Sequence, residues 1–300
     1  MHQAATLPLP QKIRSIYELA KPKVVFLIVF TAFVGMLLAT PAGTAPLAQE
    51  WERMFWALIG IGLASAAGAA INHLLDERYD SLMDRTHERP LPSHRVNTRE
   101  VMLVALSWAA VSMGILVWQV NALTAVLTFF ALIGYAVIYT VYLKHNTPQN
   151  IVWGGAAGAA PPLLGWTAMT GQVSAEGLVL FLIIFLWTPP HFWPLAIRRV
   201  DEYRRAGIPM LPVVKGVAHT KYQILLYTMV LVAASLLPST IGMSGLLYMG
   251  GASVLGAVFI YYAWKLYRDE DDALAMPTFG YSILYLMLLF SVLLVDHYIR

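Results

Sequence analysis

The chain has 300 residues, 58% of them hydrophobic and only 12% charged, with a formal net charge of +3 and no cysteine. A soluble domain carries about 25% charged residues, so a chain this apolar belongs in a bilayer rather than in water. The missing cysteines exclude disulfides, iron–sulfur clusters, thiolate zinc sites and a cysteine nucleophile. A soluble helical protein with a large core is set aside because long apolar runs recur from end to end.

A spanning helix needs about 20 apolar residues. Nine runs qualify, at 24–40, 53–73, 101–119, 122–143, 150–169, 177–197, 221–241, 246–267 and 279–297. The first is short but holds no charge. Cations followed by an apolar stretch fit a cleaved signal peptide loosely; its length and the membrane character of the rest favour a retained span. Nothing at the N-terminus is Arg/Ser-rich in the manner of a transit peptide.

The links between runs alternate in character. Residues 41–50, 119–121, 171–176 and 238–245 are short, polar and nearly free of cations. The other set holds Lys12, Arg14, Lys21 and Lys23, then five arginines between Arg78 and Arg99, Lys144, six cations between Arg198 and Lys221, and finally Lys265 and Arg268. That places 18 of the 20 Lys and Arg on one side, with Arg53 and Arg300 opposite. The positive-inside rule then puts the N-terminus in the cytoplasm and, with nine spans, the C-terminus outside. Eight or ten spans would break this segregation. The chain reads as one membrane-embedded domain over 1–300, with a cytoplasmic segment at 1–23 and cytoplasmic loops at 74–100 and 198–220 that carry acidic motifs.

The second-to-third link begins with Asn72, Asp76, Asp80 and Asp84, one polar group every four residues. On a helix such positions form one ridge. Carboxylates stacked this way repel unless a cation sits among them, and hard oxygen donors suit Mg²⁺ completed by water and phosphate oxygens. Zinc would call for histidine, and His73 lies off the ridge. The spacing runs back into the membrane as Gly60, Ala64 and Gly68, small residues that allow close helix approach and a rigid mount. The bland alternative is a solvated amphipathic helix with ordinary i,i+4 charges. Against it, Asn72 falls inside an apolar span, where polar groups are costly.

A second acidic element, Asp201-Glu202-Tyr203, lies among the cations after the sixth run. It follows the first by four spans, as two related halves would have it, although no residue-level repeat is visible. Two acidic elements on one cavity would hold two metal ions bridging a diphosphate, with Arg85, Arg89, Lys144, Arg199 and Arg205 neutralising its remaining charge. Each of these cations also serves the topology signal. Two proline features, Pro161-Pro162 and Pro189-Pro190-His191-Phe192-Trp193, suggest helix breaks at membrane depth beside a cavity. Trp187, Phe192 and Trp193 would line it for a flat aromatic or isoprenoid ligand; kinked packing with an interfacial aromatic belt is the plainer reading. His191 would ligate or hydrogen-bond a ligand, or simply pack. The run 269–272 is a solvated acidic loop or a contact for a partner.

Taken together, these residues resemble the UbiA superfamily of intramembrane prenyltransferases over nearly the whole chain. The match rests on Asn72-x3-Asp76-x3-Asp80 after span two and the acidic motif after span six. Asp84-Arg85-Thr86 with Arg89-Pro90, Tyr142-Leu143-Lys144 and Gly158-Ala159-Ala160-Pro161-Pro162 are similar to stretches of its heme-modifying branch. Pro190-His191-Phe192-Trp193, and Asp201-Glu202-Tyr203 running to Pro212, point to heme rather than a quinone precursor.

The resemblance implies an all-α fold of nine transmembrane helices around a central cavity in a bacterial cytoplasmic membrane. It implies Mg²⁺ as cofactor on Asn72, Asp76, Asp80, Asp201 and Glu202, with Asn72, Asp76, Asp80 and Asp201 catalytic. Farnesyl diphosphate would be the donor and protoheme IX the acceptor, the latter near His191, Phe192 and Trp193, giving heme O. Heme A synthase or a heme-copper terminal oxidase would be the protein partners, and nucleic acid has no place. One departure stands out: members often carry a second Asp-x3-Asp, and position 205 here is Arg. The rival readings are prenylation of another aromatic acceptor such as 4-hydroxybenzoate, and a transporter or heme-delivery protein without catalysis. Transport sites favour the bilayer midplane, whereas these acidic groups gather at one face.

Overall fold

The computed structural model describes residues 8–81 and 86–300. They form helices α1 (Leu9–Leu19), α2 (Pro22–Leu38), α3 (Ala48–Asp80), α4 (Thr98–Val120), α5 (Ala122–Asn146) and α6 (Asn150–Thr170). Then come α7 (Ala175–Arg198), the short α8 (Val200–Arg205) and α9 (Leu211–Val214), α10 (Val217–Thr240), α11 (Leu246–Arg268) and α12 (Ala275–Ile299). No strand occurs among the described residues.

Seven helices, α3, α4, α5, α7, α10, α11 and α12, are individually long and apolar enough to cross a bilayer. The pair α1 and α2, bent by 48°, makes an eighth if taken as one span. The ninth expected span corresponds to α6, which is helical for 21 residues but is built on Gly, Ala and Pro. Its composition reflects its position. α6 packs against α2, α3, α5 and α7, so its surface meets protein more than lipid and has less need of large apolar side chains.

The helices close on themselves. α2 packs on α3 and α6, α6 on α7, α7 on α10 and α12, and α12 returns to α2. The α2–α6 crossing is made by two glycines. A Cβ on Gly35 would stand 2.2 Å from the Pro162 carbonyl oxygen, and one on Gly165 would stand 2.0 Å from that of Ala32. Gly60 performs the same service for Leu116 of α4, whereas Ala64 and Gly68 face the central cavity. The small-residue line is thus half helix seam and half cavity wall.

Pro161 and Pro162 do not break α6, nor do Pro189, Pro190 and Pro194 break α7. The missing N–H groups of the first pair release the carbonyls of Ala157 and Gly158, both of which border the cavity. At the far end of the bundle, buried Asp296 accepts from the N–H groups of Gly245 (2.6 Å) and Tyr248 (3.1 Å), supplying the start of α11 with a carboxylate from α12. At the cation-rich end, Asp269 accepts from Leu274 N–H and Lys221 pairs with Asp272. Half of the acidic run 269–272 is therefore used in building its own loop.

Candidate functional site

α3 has 33 residues and so is about 50 Å long, against about 30 Å of bilayer hydrocarbon. The excess carries Asn72, Asp76 and Asp80 to the cation-rich end on a continuous helix. All three are at most 4% exposed, so the ridge is an interior feature. Asp84 and Arg85 lie outside the described residues.

Cations from three other segments meet this ridge. Lys144, near the end of α5, donates to Asp76 Oδ2 at 2.6 Å, and Asn72 Nδ2 donates to the same oxygen at 2.7 Å. Lys21, between α1 and α2, donates to Asn72 Oδ1. Arg89 donates to Asp80 Oδ2 at 2.6 Å, while Thr86 Oγ1 donates to the Asp80 carbonyl at 2.8 Å. His145 stacks on Tyr79 at 4.0 Å and brings Nε2 to 3.6 Å from Asp76 Oδ1. Two buried carboxylates are thus balanced by a lysine and an arginine, the arrangement a low-dielectric site requires.

Lys21 holds the left-handed conformation (φ 49°, ψ 60°) immediately before Pro22. That conformation is costly for a residue preceding proline. It directs a half-buried side chain to an apolar cavity of about 350 Å³, whose wall includes Lys21. Tyr135, Tyr139, Ile28, Leu164, Trp187 and Phe192 complete much of that wall. Part of α5, Gly134–Leu143, is wound as a π-helix, a form that is rare and frequent at functional sites. It places Tyr135 and Tyr139 on the cavity and Thr140 within 3.3 Å of Asn72 Nδ2. Gly154 makes room for Tyr139, whose ring lies 2.2 Å from where a Cβ would stand.

The oxygen donors fit a hard divalent cation. Asp76 Oδ1 is buried and has no hydrogen-bond partner among the described residues, which leaves one carboxylate lone-pair direction open. No group of three or more His, Asp or Glu residues among the described residues forms a metal cage by itself. Such a set suits Mg²⁺ that arrives with phosphate oxygens and keeps water.

The second acidic element stands apart. Asp201, Glu202, Arg198, Arg199 and Arg205 border a separate charged pocket with Leu195 and Met276, and it shares no lining residue with the apolar cavity. Tyr79 of α3 packs against the cluster containing Trp193, Tyr203 and Ile208. Asp201 is largely exposed and paired with Arg204 at 2.5 Å, while Glu202 Oε2 is buried without a partner among the described residues. Of the aromatic trio, Phe192 lines the cavity. Trp193, 1% exposed, packs edge-on against Tyr227 in the core, and His191 turns to α12.

Lys21, Thr140, His145 and the tyrosine pair are the site residues that sequence reasoning missed. Lys21 was legible only as a topology charge. The others depend on a π-helical register that no side-chain period announces.

The UbiA prenyltransferase family is matched over residues 28–292. A protoheme IX farnesyltransferase of Thioalkalivibrio sulfidiphilus is 61% identical over 287 residues, covering 96% of this chain and 93% of that protein. Its counterpart in Methylococcus capsulatus is 56% identical, covering 95% and 94%. Among solved structures, a digeranylgeranylglyceryl phosphate synthase superposes with a TM-score of 0.81 at 17% identity, covering 96% of this chain and 99% of that one. A UbiA homolog from Archaeoglobus fulgidus bound to GPP and Mg²⁺ gives 0.60 at 17% identity, covering 93% and 99%. On the family match and the near full-length relatives, this chain belongs to the UbiA prenyltransferase family.

Proposed function

We propose that the chain transfers the farnesyl group of farnesyl diphosphate to a vinyl group of protoheme IX, with addition of water, giving heme O and diphosphate. The observation that carries this reading is a near full-length identity of 61% to a protoheme IX farnesyltransferase. The geometry agrees with it: a buried cationic and acidic cluster opens onto an apolar cavity.

The diphosphate is received at the mouth of the cavity by Lys21, Lys144 and Arg89, with Arg85 an expected fourth cation. Lys144 and Arg89 are held on Asp76 and Asp80 until an anion competes for them. As they turn to the diphosphate, the carboxylates and the Asn72 amide oxygen become available to Mg²⁺. From the second element, Glu202 rather than Asp201 is the better donor, because its oxygen is buried and unpartnered. Arg199 and Arg205 border that element's pocket and add positive charge there. Bound Mg²⁺ would neutralise charge developing on the leaving diphosphate as the allylic C–O bond ionises.

The farnesyl chain occupies the apolar cavity, whose wall excludes water. Tyr135 and Tyr139 turn their ring faces to the allylic cation, a favourable interaction in a desolvated site. The vinyl π-electrons then form the new C–C bond, water adds to the resulting cation, and one proton leaves to solvent. No protein nucleophile is required.

The segregation of 18 of 20 Lys and Arg supports nine spans, a cytoplasmic N-terminus, an external C-terminus and a site open to the cytoplasm of a bacterial cell. Heme O released there would pass to heme A synthase or a heme-copper oxidase. The deciding test is a pigment assay with purified protein, farnesyl diphosphate, Mg²⁺ and protoheme. Wild type should convert heme B to heme O, and Asp76→Ala should lose at least about 100-fold in rate. Alkylation of 4-hydroxybenzoate in place of protoheme would overturn the acceptor.

A further inference from the structure

His191 sits seven residues before the end of α7, with its ring held between two others. Trp187 stacks on it at 4.1 Å and Phe279 of α12 at 4.7 Å between centroids. Its Nδ1 lies 2.7 Å from Ser282 Oγ. A serine hydroxyl has one proton to give, and that of Ser282 goes to the Phe279 carbonyl at 2.6 Å. Ser282 must therefore accept from Nδ1–H, which leaves the imidazole lone pair on Nε2. The serine is itself fixed, since its carbonyl accepts from Trp187 Nε1 at 2.7 Å. Nε2 makes no hydrogen bond to any described residue, and His191 is only half-buried. A neutral imidazole anchored through one N–H, with the other nitrogen open, is how metal-ligating histidines are held.

The charge nearby is complementary to an anionic porphyrin. Arg198 lies on the same face of α7 as His191, two turns on, and borders the pocket that includes Met276 of α12. Arg199 borders the same pocket, and its exposed carboxylate, Asp201, is already paired with Arg204. Seven helical residues rise about 10 Å, the scale that separates a porphyrin iron from its propionate carboxylates. We infer that His191 Nε2 is the axial ligand of the protoheme iron, with a propionate on Arg198 and the vinyl edge turned inward towards Trp187. Trp187 also lines the cavity, so this pose brings the acceptor edge to the wall of the donor's chamber. The lone pair is simply donated to iron, and no proton moves.

The inference rests on protoheme being the acceptor, and the test separates the two. Hemin is titrated into full-length protein in detergent without farnesyl diphosphate, followed by Soret absorption and EPR. Wild type should show nitrogen ligation, and His191→Gly should lose it and regain it on adding imidazole. His191→Met, close in volume, should shift the Soret band, and Arg198→Gln should keep the ligand signature while weakening hemin binding about tenfold. If wild type makes heme O but His191→Gly keeps the unaltered spectrum, the ligation is refuted alone. A wild type that makes no heme O refutes the acceptor assignment itself.

Discussion

Asp201 and Glu202 are neighbours in sequence, yet the structure treats them differently. The Asp201 side chain is 79% exposed and its partner Arg204 59% exposed. A pair this open is screened by water and contributes about 0–1 kcal/mol. Glu202 has a buried oxygen with no partner among the described residues, an arrangement that is costly unless a cation completes it. Asp201→Ala should therefore stay within about twofold of wild-type heme O formation, whereas Glu202→Gln should lose on the order of 100-fold. Steady-state rates at varied farnesyl diphosphate and Mg²⁺ check this, and equal losses in the two variants would remove the distinction. The sequence offers both carboxylates equally, because exposure is a property of packing. The ladder is different in kind. Asn72, Asp76 and Asp80 follow directly from a four-residue spacing, and the helix that carries them is continuous to Asp80.

At the scale of elements, the apolar runs locate helices well and describe their interiors poorly. The prolines in α6 and α7 predict breaks, but the bundle tolerates them within continuous helices. The π-helical stretch of α5 is invisible in a sequence whose large residues would suit either winding. Glycine in α6 is similarly ambiguous until its neighbours are known. A Cβ at Gly165 would meet the α2 backbone, which cannot rotate away, whereas a Cβ at Gly158, in the cavity wall, meets nothing within 4 Å. Gly165→Ala should therefore cost about 1–3 kcal/mol by forcing α2 and α6 apart. Gly158→Ala should hold or slightly raise stability through helix propensity while narrowing the cavity. Thermal unfolding in detergent should show a lowered midpoint for the first variant alone, and the second should alter the KM for farnesyl diphosphate. A lowered midpoint for both would mean that the α2–α6 crossing is not the constraint.

For the whole molecule, the number of crossings decides which faces share a compartment. The nine-span reading of the charge pattern has α6 cross, although α6 is not among the helices long and apolar enough to do so on length and hydropathy alone. Its burial resolves the tension: 12 of its 21 residues are buried, including Asn150, Trp166 and Thr167. A helix enclosed by protein is stabilised by packing through small residues and can remain in the membrane with modest hydropathy. If α6 crosses, the link before it and the link after it lie on opposite sides. The chain contains no cysteine, so single cysteines report position without background. Asn146→Cys and Gln172→Cys are both at exposed positions, one at each end of α6. In intact spheroplasts a membrane-impermeant maleimide should label Gln172→Cys, and label Asn146→Cys only after permeabilisation. Protection of both in intact cells, with labelling only after permeabilisation, would make α6 re-entrant. It would also reverse the sidedness of every helix that follows, placing Glu202 and the arginines around it on the outer face, away from the ladder.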